Sequence, residues 1–284
     1  MARSTQRFDP RQTMQGNTFE IFHYQDMPSR HPEAHYHDFY ELFFFIDGDV
    51  DYWVEGDVYH LRAGDILLLP PAHLHKPIPR GGAATYERIV LWVDRGYLGG
   101  IAGGALESCF TPSHAGANLL RLSTAERKMV HDLALSLNEE FHGNGYAKEC
   151  CEYGLLLQLL TAINRLFRQP KDSSSTAYRT PTFISEILTY IGNHYHENLT
   201  LDGLAAHFFI NKYYLSHEFK KAVGVGVHRY VTLRRLHAAY DLLSEGKPAG
   251  QVGLQCGFSD YTAFFRAFKA EYGISPTACP QSNT

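Results

Sequence analysis

Two stretches of the chain echo each other at a fixed offset, and that repeat constrains the fold more than any other feature of the 284 residues. Leu215-Ser216-His217-Glu218-Phe219-Lys220 is followed after three residues by Gly224-Val225. Phe264-Phe265-Arg266-Ala267-Phe268-Lys269 is followed at the same distance by Gly273-Ile274, 49 residues further on. In each copy an apolar residue recurs four positions on, which stacks two side chains on one face of an α-helix. A short apolar helix precedes each copy, at 201–206 and 249–254. Turn residues intervene, with Asn211 as the N-cap in the first copy and Ser259 or Asp260 in the second. Helix, short turn, helix is the unit that lays its second helix in a DNA major groove. Between the copies Tyr230, Leu233, Leu236, Tyr240 and Leu243 form the stripe of a longer helix that could join them rigidly, with Arg229, Arg234 and Arg235 on its other face.

If Leu215 and Phe219 face a core, Tyr213, Ser216, His217, Lys220 and Lys221 fall on flanking or opposite faces. If Phe264 and Phe268 do the same, Tyr261, Thr262, Phe265 and Arg266 point outward. These segments resemble the AraC/XylS family of bacterial transcription regulators. The match is carried by Leu204-Ala205, by Asn211-x-x-Tyr214-Leu215-Ser216-x-x-Phe219-Lys220 and by a long second motif. That motif is Gly257-Phe258-Ser259-Asp260-x-x-x-Phe264-x-Arg266-x-Phe268-Lys269-x-x-x-Gly273-Ile274-Ser275-Pro276. The resemblance covers residues 183–277. It implies that both second helices enter successive major grooves on one DNA face, about 34 Å apart. It also implies base contacts from Tyr213, Ser216 and His217 in the first unit and from Tyr261, Thr262, Phe265 and Arg266 in the second. Arg266 can read guanine with a bidentate fork to O6 and N7. Lys220, Lys221 and Lys269 suit phosphates. Two positions depart from the family pattern. His217 replaces a frequent arginine, and Phe209 stands where a turn glycine is common, so that turn is expected to be distorted.

The first hundred residues have a different grammar. Short runs of aromatic and branched residues at 41–46, 50–54, 66–69 and 88–93 are separated by Gly, Pro and Asp turns, which predicts β-strands in a small barrel or sandwich. Ser123-Thr124-Ala125-Glu126 is a capping-box pattern opening a helix to about Phe141, with Gly143-Asn144-Gly145 as its stop. A second helix over 146–168 carries Leu155, Leu156, Leu159, Ile163 and Leu166 as an apolar stripe. That stripe fits packing on the β domain and a dimer interface equally well. Ser173-Ser174-Ser175 and its flanking prolines, within 169–181, mark a linker. The expected division is a cupin-like sensor (1–110), a helical connector or dimerisation segment (111–170), a linker (171–181) and a DNA-binding domain (182–284). The fold class is therefore α+β and multi-domain: an N-terminal cupin-like β-barrel, a helical connector and an all-α double helix-turn-helix domain.

Histidines crowd the β half. His35, His37 and Glu41 share parity, so on a strand they would converge on one face. Gly64-Asp65 through Pro70, followed by His75, forms a second cluster. Together they resemble the two motifs of the cupin superfamily, with Ala72 replacing a glycine of the second. That resemblance implies His35, His37, Glu41 and His75 as ligands of a divalent metal, and the ligand types suit Zn, Fe, Mn or Ni. Without a metal, His37 and Glu41 would hydrogen-bond inside the barrel or orient a polar ligand, with His31 and His35 at the rim. The effector pocket is expected to draw on His37, Glu41, His75 and Trp53, with Tyr40, Phe44 and Tyr52 as further aromatics. Aromatic faces beside polar groups suit a hydroxylated molecule such as a sugar.

Composition narrows the function classes. The net charge of -4 excludes a uniformly basic nucleic-acid coat, yet residues 182–284 hold nine Lys+Arg against eight Asp+Glu, so the acidity lies in the sensor half. Cys109, Cys150, Cys151, Cys256 and Cys279 form no Cys-x-x-Cys pair, which suits buried thiols in a reducing compartment. Apolar runs are far short of the ~18 residues of a membrane span, and the polar start lacks a signal core. The reading is a cytoplasmic, homodimeric regulator that binds double-stranded DNA and a small-molecule effector, with no catalytic residues and no obligatory cofactor. The alternative is a metal-dependent cupin enzyme, an oxygenase or isomerase, fused to a DNA-targeting module.

Overall fold

The computed structural model describes residues 5–9, 12–27, 34–80, 85–102, 104–111, 118–169 and 183–279. His31 and the expected linker core at Ser173–Ser175 lie outside them. The chain divides into two compact units, Met1–Thr180 and Pro181–Thr284.

The first unit holds strands β1 (Phe19–Asp26), β2 (Tyr40–Asp47), β3 (Val50–Val54), β4 (Asp57–His60), β5 (Ile66–Leu69), β6 (His75–Pro79), β7 (Tyr86–Val93) and β8 (Leu119–Leu120). It also holds helices α1 (Arg95–Ala102), α2 (Thr124–His142) and α3 (Lys148–Arg168). One sheet has the order β1-β7-β2-β5-β8 and the other β4-β3-β6. The described strands thus form two sheets, and the expected barrel is not closed among them. Side-chain alternation makes two cores from the larger sheet. Phe43, Phe45, Leu67, Leu69, Val90 and Trp92 join Tyr52 and Val54 of the smaller sheet between the layers. Ile21, Leu42, Phe44, Ile66 and Leu91 instead meet α2 and α3 on the outer face. Strand β7 is buried along its whole length because both its faces are covered.

Helix α2 starts on the capping box, with Ser123 and Glu126 satisfying each other's backbone N–H groups. The stripe of α3 is spent on the sheet: Leu156, Leu159, Leu160, Ile163 and Leu166 are buried in the same core as Leu42. Asn164 adds a polar lock, its Oδ1 accepting from Cys109 N–H at 3.0 Å and from Ser108 Oγ at 2.7 Å. Cys109, Cys256 and Cys279 are buried, but Cys150 and Cys151 are exposed at the start of α3, contrary to the expectation of buried thiols. Burial pushes the Cys109 thiol up to about 12, which keeps it protonated.

The second unit contains α4 (Phe183–His194), α5 (Leu201–His207), α6 (Lys212–Val223), α7 (Val227–Ser244), α8 (Ala249–Gln255) and α9 (Tyr261–Tyr272). Helices α5–α6 and α8–α9 are the two helix-turn-helix units, and α7 connects them. Leu236, Ala239, Val252, Phe264 and Phe268 share the core of the second unit. Arg235 ties α7 to the end of the first helix, donating from Nε to the Tyr195 carbonyl at 2.8 Å and from Nη2 to the Glu197 carbonyl at 2.7 Å. Arg229 pairs with Glu271 at 2.6 Å. Both arginines therefore brace the domain rather than stand free.

Candidate functional site

Two exposed helix faces carry the DNA-reading candidates. In α6, Leu215, Phe219 and Val223 are buried, which turns Tyr213, Ser216, His217, Lys220 and Lys221 to solvent. Asn211 caps this helix, its side chain accepting from Tyr213 N–H at 2.8 Å. In α9, Phe264 and Phe268 are buried and Tyr261, Thr262, Arg266 and Lys269 are exposed, while Phe265 is half-buried. Asp260, not Ser259, is the cap: Oδ1 accepts from Ala263 N–H at 2.8 Å. Arg266 makes no hydrogen bond or ion pair with other described residues, so its fork is open to a base edge. His217 Nδ1 lies 3.0 Å from Glu218 Oε1, and its side chain is largely exposed.

The expected distortion at Phe209 does not occur. Phe209 adopts φ 55, the same left-handed region as Gly257 at φ 90, so both turns close alike. The Phe209 ring is 96% exposed, which removes the packing that would otherwise forbid a large side chain there.

The polar cluster of the first unit sits between the sheets. His37 and Glu41 are buried, and His75 is fully so. One ligand atom from each lies within 4.8 Å of the others. His37 Nδ1 is 2.9 Å from the Phe39 carbonyl, and its Nε2 is 3.1 Å from Glu41 Oε2. The same carboxylate oxygen accepts from Trp92 Nε1 at 2.9 Å. His75 Nδ1 is 2.8 Å from the His73 carbonyl. Burial first, then the His35 and His37 rings, holds His75 well below the usual imidazole range, so it is neutral. Burial pushes the Tyr52 phenol up, and the nearby Glu41 carboxylate adds to the shift. Tyr52 stacks on His75 with ring centroids 6.1 Å apart.

Several sequence-level candidates lie elsewhere. His35 and His37 precede β2 rather than sitting on it. His35 instead bridges to His75 through the backbone, with its ring 4.4 Å from the His75 ring, and is not among the converging ligand atoms. Trp53 pairs with Lys76 across β3 and β6, on the face opposite Tyr52 and His75, so it does not line the cluster. Lys76 Nζ lies 5.6 Å from its ring. Tyr40 and Phe44 fall on the helix-covered face. Parity with Glu41 would have excluded both. Trp92 and Phe39 were missed. Trp92 reaches Glu41 only because β7 lies beside β2, and no local pattern announces that pairing. A separate cavity of about 370 Å³ opens on the outer side of the larger sheet, lined by Phe44, Ile66, Leu122, Val130 and Arg127. Asp65, Lys128 and His131 also line it, whereas His37, Glu41 and His75 lie apart from it, in the cluster between the sheets.

Residues 204–281 match a helix-turn-helix domain family, and residues 18–121 match the AraC-like ligand binding domain. The HTH-type transcriptional activator AarP of Providencia stuartii is 34% identical over 104 residues, covering 36% of this chain and 77% of that protein. The arabinose operon regulatory protein of Escherichia coli (strain K12) is 29% identical over 231 residues, 78% of this chain and 74% of the relative. The chain belongs to the AraC/XylS family. Among solved structures, the C-terminal domain of the response regulator yesN from Fusobacterium nucleatum is similar, at 30% identity and a TM-score of 0.31. It covers 32% of this chain and 90% of that one. As an AraC-family protein, the chain is a DNA-binding transcriptional regulator with an N-terminal ligand-binding domain. Its relatives regulate transcription, which decides against the oxygenase or isomerase alternative. Among the described residues, no helix is long and apolar enough to cross a membrane.

Proposed function

We propose that this AraC-family regulator reads two adjacent major-groove segments. Tyr213, Ser216, His217, Lys220 and Lys221 would act from α6, and Tyr261, Thr262, Phe265, Arg266 and Lys269 from α9. The observation that carries this reading is the pair of capped helices whose candidate residues face outward while Leu215, Phe219, Phe264 and Phe268 are fully buried. Arg266 supplies guanine recognition, and the lysines hold phosphates. The effector binds between the sheets at His37, Glu41 and His75, and a hydroxylated molecule such as a sugar suits those groups. The arabinose and melibiose operon regulatory proteins among the relatives bear names consistent with that class. The effector changes DNA binding by the amount it prefers the sensor arrangement of one DNA-binding state. The functional divisions remain those of sensor (1–110), connector (111–170), linker (171–181) and reader (182–284), acting in the cytoplasm.

The regulator acts as a homodimer in this reading. A near-neutral reader has little non-specific electrostatic hold on DNA, and two copies on paired half-sites compensate for it. Selection of bound duplexes from a random library tests the proposal. The expected product is a motif with two recognition segments one helical turn apart, repeated once for the second copy. Salt-sensitive binding without sequence enrichment would overturn it.

A further inference from the structure

The outer face of the larger sheet carries a cavity that the cluster between the sheets does not use. It lies where β2 and β5 meet the first two turns of α2, and its volume of about 370 Å³ falls within the roughly 300–1,000 Å³ range of small-molecule pockets. Phe44, Ile66, Leu122 and Val130 give it an apolar floor. Cationic side chains gather at the rim, where Arg127, Lys128 and His131 share one face of α2 at helical spacing. Most of the neighbouring charges are already committed. The buried Asp65 carboxylate accepts from Arg121 Nε at 3.0 Å, from Arg121 Nη2 at 2.7 Å and from the Arg62 N–H at 2.8 Å. Lys128 pairs with Asp132. Arg127 is the exception: it is exposed, and its guanidinium makes no hydrogen bond or ion pair with another described residue. The chain also makes room for its side chain. Gly64 adopts φ 88 beneath it, and a Cβ there would lie 2.1 Å from Arg127 Nε and 2.5 Å from its Cγ. The stem of Arg127 therefore crosses bare backbone, which sets the guanidinium at the edge of the apolar floor.

We propose that this cavity binds a small amphipathic carboxylate, its hydrocarbon body on Phe44, Ile66, Leu122 and Val130 and its carboxylate on Arg127. The site is separate from His37, Glu41 and His75 and does not depend on reading that cluster as the effector site. The chemistry of the lining selects this class. A sugar would set most of its hydroxyls against apolar side chains, at a cost in lost hydrogen bonds to water. Inorganic phosphate would meet one free guanidinium and leave the floor in water. A neutral hydrocarbon would cover the floor and leave Arg127 without a counter-ion. A carboxylate accepts a forked pair of N–H bonds from one guanidinium, while the floor removes the attached hydrocarbon from water. A ligand so placed joins β2 and β5 to α2, so it stabilises the first unit by linkage.

Calorimetric titration of the full-length protein with hexanoate, octanoate and decanoate, each below its micelle concentration, tests the site. One equivalent should bind saturably per chain, tightening about fourfold per added methylene until the cavity is full. Decanol, with the same chain and no charge, should bind about 10- to 100-fold more weakly than decanoate, and Arg127→Met should lose the same factor for decanoate. Arg127→Lys restores part of that loss. Arg80→Met, which removes an exposed cation elsewhere in the first unit, leaves decanoate binding unchanged. Thermal unfolding establishes that each variant is folded, and decanoate raises the melting temperature of the wild type more than that of Arg127→Met at the same concentration. No saturable binding by the folded wild type overturns the proposal. So does undiminished decanoate affinity in a folded Arg127→Met variant, and so does decanol binding as tightly as decanoate. Equal losses in Arg80→Met and Arg127→Met would assign the effect to overall charge and overturn it as well.

Discussion

The two helix-turn-helix units close their turns with the same backbone and distribute bulk differently. In unit one the N–H of Phe209 donates to Ala206 and that of Ile210 to Ala205; in unit two Gly257 donates to Leu254 and Phe258 to Gly253. Phe209 and Gly257 are thus equivalent, as are Ala205 and Gly253, both 48 positions apart; one extra residue before the Asp260 cap restores the offset of 49 that matches Asn211 with Asp260 and Leu215 with Phe264. Unit one has Ala205 and Leu215 at these positions, both buried, and unit two has Gly253 and the larger Phe264. A Cβ at Gly253 would sit 2.8 Å from the Phe264 ring, so the small residue accommodates the large one. The turn positions teach a related lesson. A Cβ at Gly257 would come within 2.7 Å of the His196 carbonyl oxygen, while Phe209 points its side chain into solvent. A left-handed backbone alone tolerates a bulky residue at some cost; a left-handed backbone pressed against another chain segment does not.

The largest expected effect breaks the turn comparison. Gly257→Ala adds both conformational strain and a backbone clash, and should lower stability by roughly 3 kcal/mol in chemical denaturation of the full chain. A loss below that of a simple left-handed Gly→Ala change would show that the His196 segment yields. Next, Gly253→Ala should cost about 2 kcal/mol through overpacking, and adding Phe264→Leu should recover much of it. Additive losses in that double-mutant cycle would mean the two residues do not share a volume constraint.

The recognition faces should also diverge. Arg266→Ala is expected to cost ~1–3 kcal/mol on the preferred duplex and relax base preference there. His217→Ala, which removes at most one hydrogen bond, should cost about 0.5–1.5 kcal/mol. Salt-controlled titrations on specific and random duplexes separate these effects, and equal losses on both duplexes would sink the base-reading role of Arg266. Phe209→Gly should act in the opposite direction to Gly257→Ala, relieving strain and stabilising the domain by about 0.5–1 kcal/mol after the added unfolded-state entropy is counted.

The smallest difference concerns the caps. Hydrogen bonds from Ala263 N–H and Ser259 hold the Asp260 carboxyl below its ordinary value. A depressed folded-state pKa gives a contribution that is complete above the unfolded value near pH 4 and disappears as pH falls through the folded value. Asn211 does not titrate. Helicity of unit two should therefore weaken in acid before that of unit one, and Asp260→Asn should remove the difference in residue-resolved hydrogen exchange.

How much was legible follows the range of the interactions. The capping box at Ser123 and Glu126, the cap at Asn211 and the outward faces of α6 and α9 all depend on residues within a few positions of each other. The turn at Phe209 keeps the geometry of its glycine counterpart because the cost of a left-handed residue depends on what its side chain meets, and that of Phe209 meets solvent. In the sensor, alternation along β2 already separates Glu41 from Tyr40 and Phe44. Which face Trp53 would occupy relative to His75 needed the β3–β6 register, with Trp53 opposite Lys76 and Val54 opposite His75.

By itself the sequence determined that this protein carries two capped helix-turn-helix units, because helical periodicity and capping are local and leave a readable spacing. It also singled out His37, Glu41 and His75 as polar candidates in the β half. Only the tertiary structure decided that they converge, that Trp92, 51 positions from Glu41, holds the carboxylate, and that His75 Nε2 is left without a partner. It likewise assigned the apolar stripe of α3 to the sheet rather than to a second copy. The physical reason is that strand pairing and layer packing join residues far apart in the chain, and burial leaves lone pairs that only the assembled surroundings can satisfy or leave open.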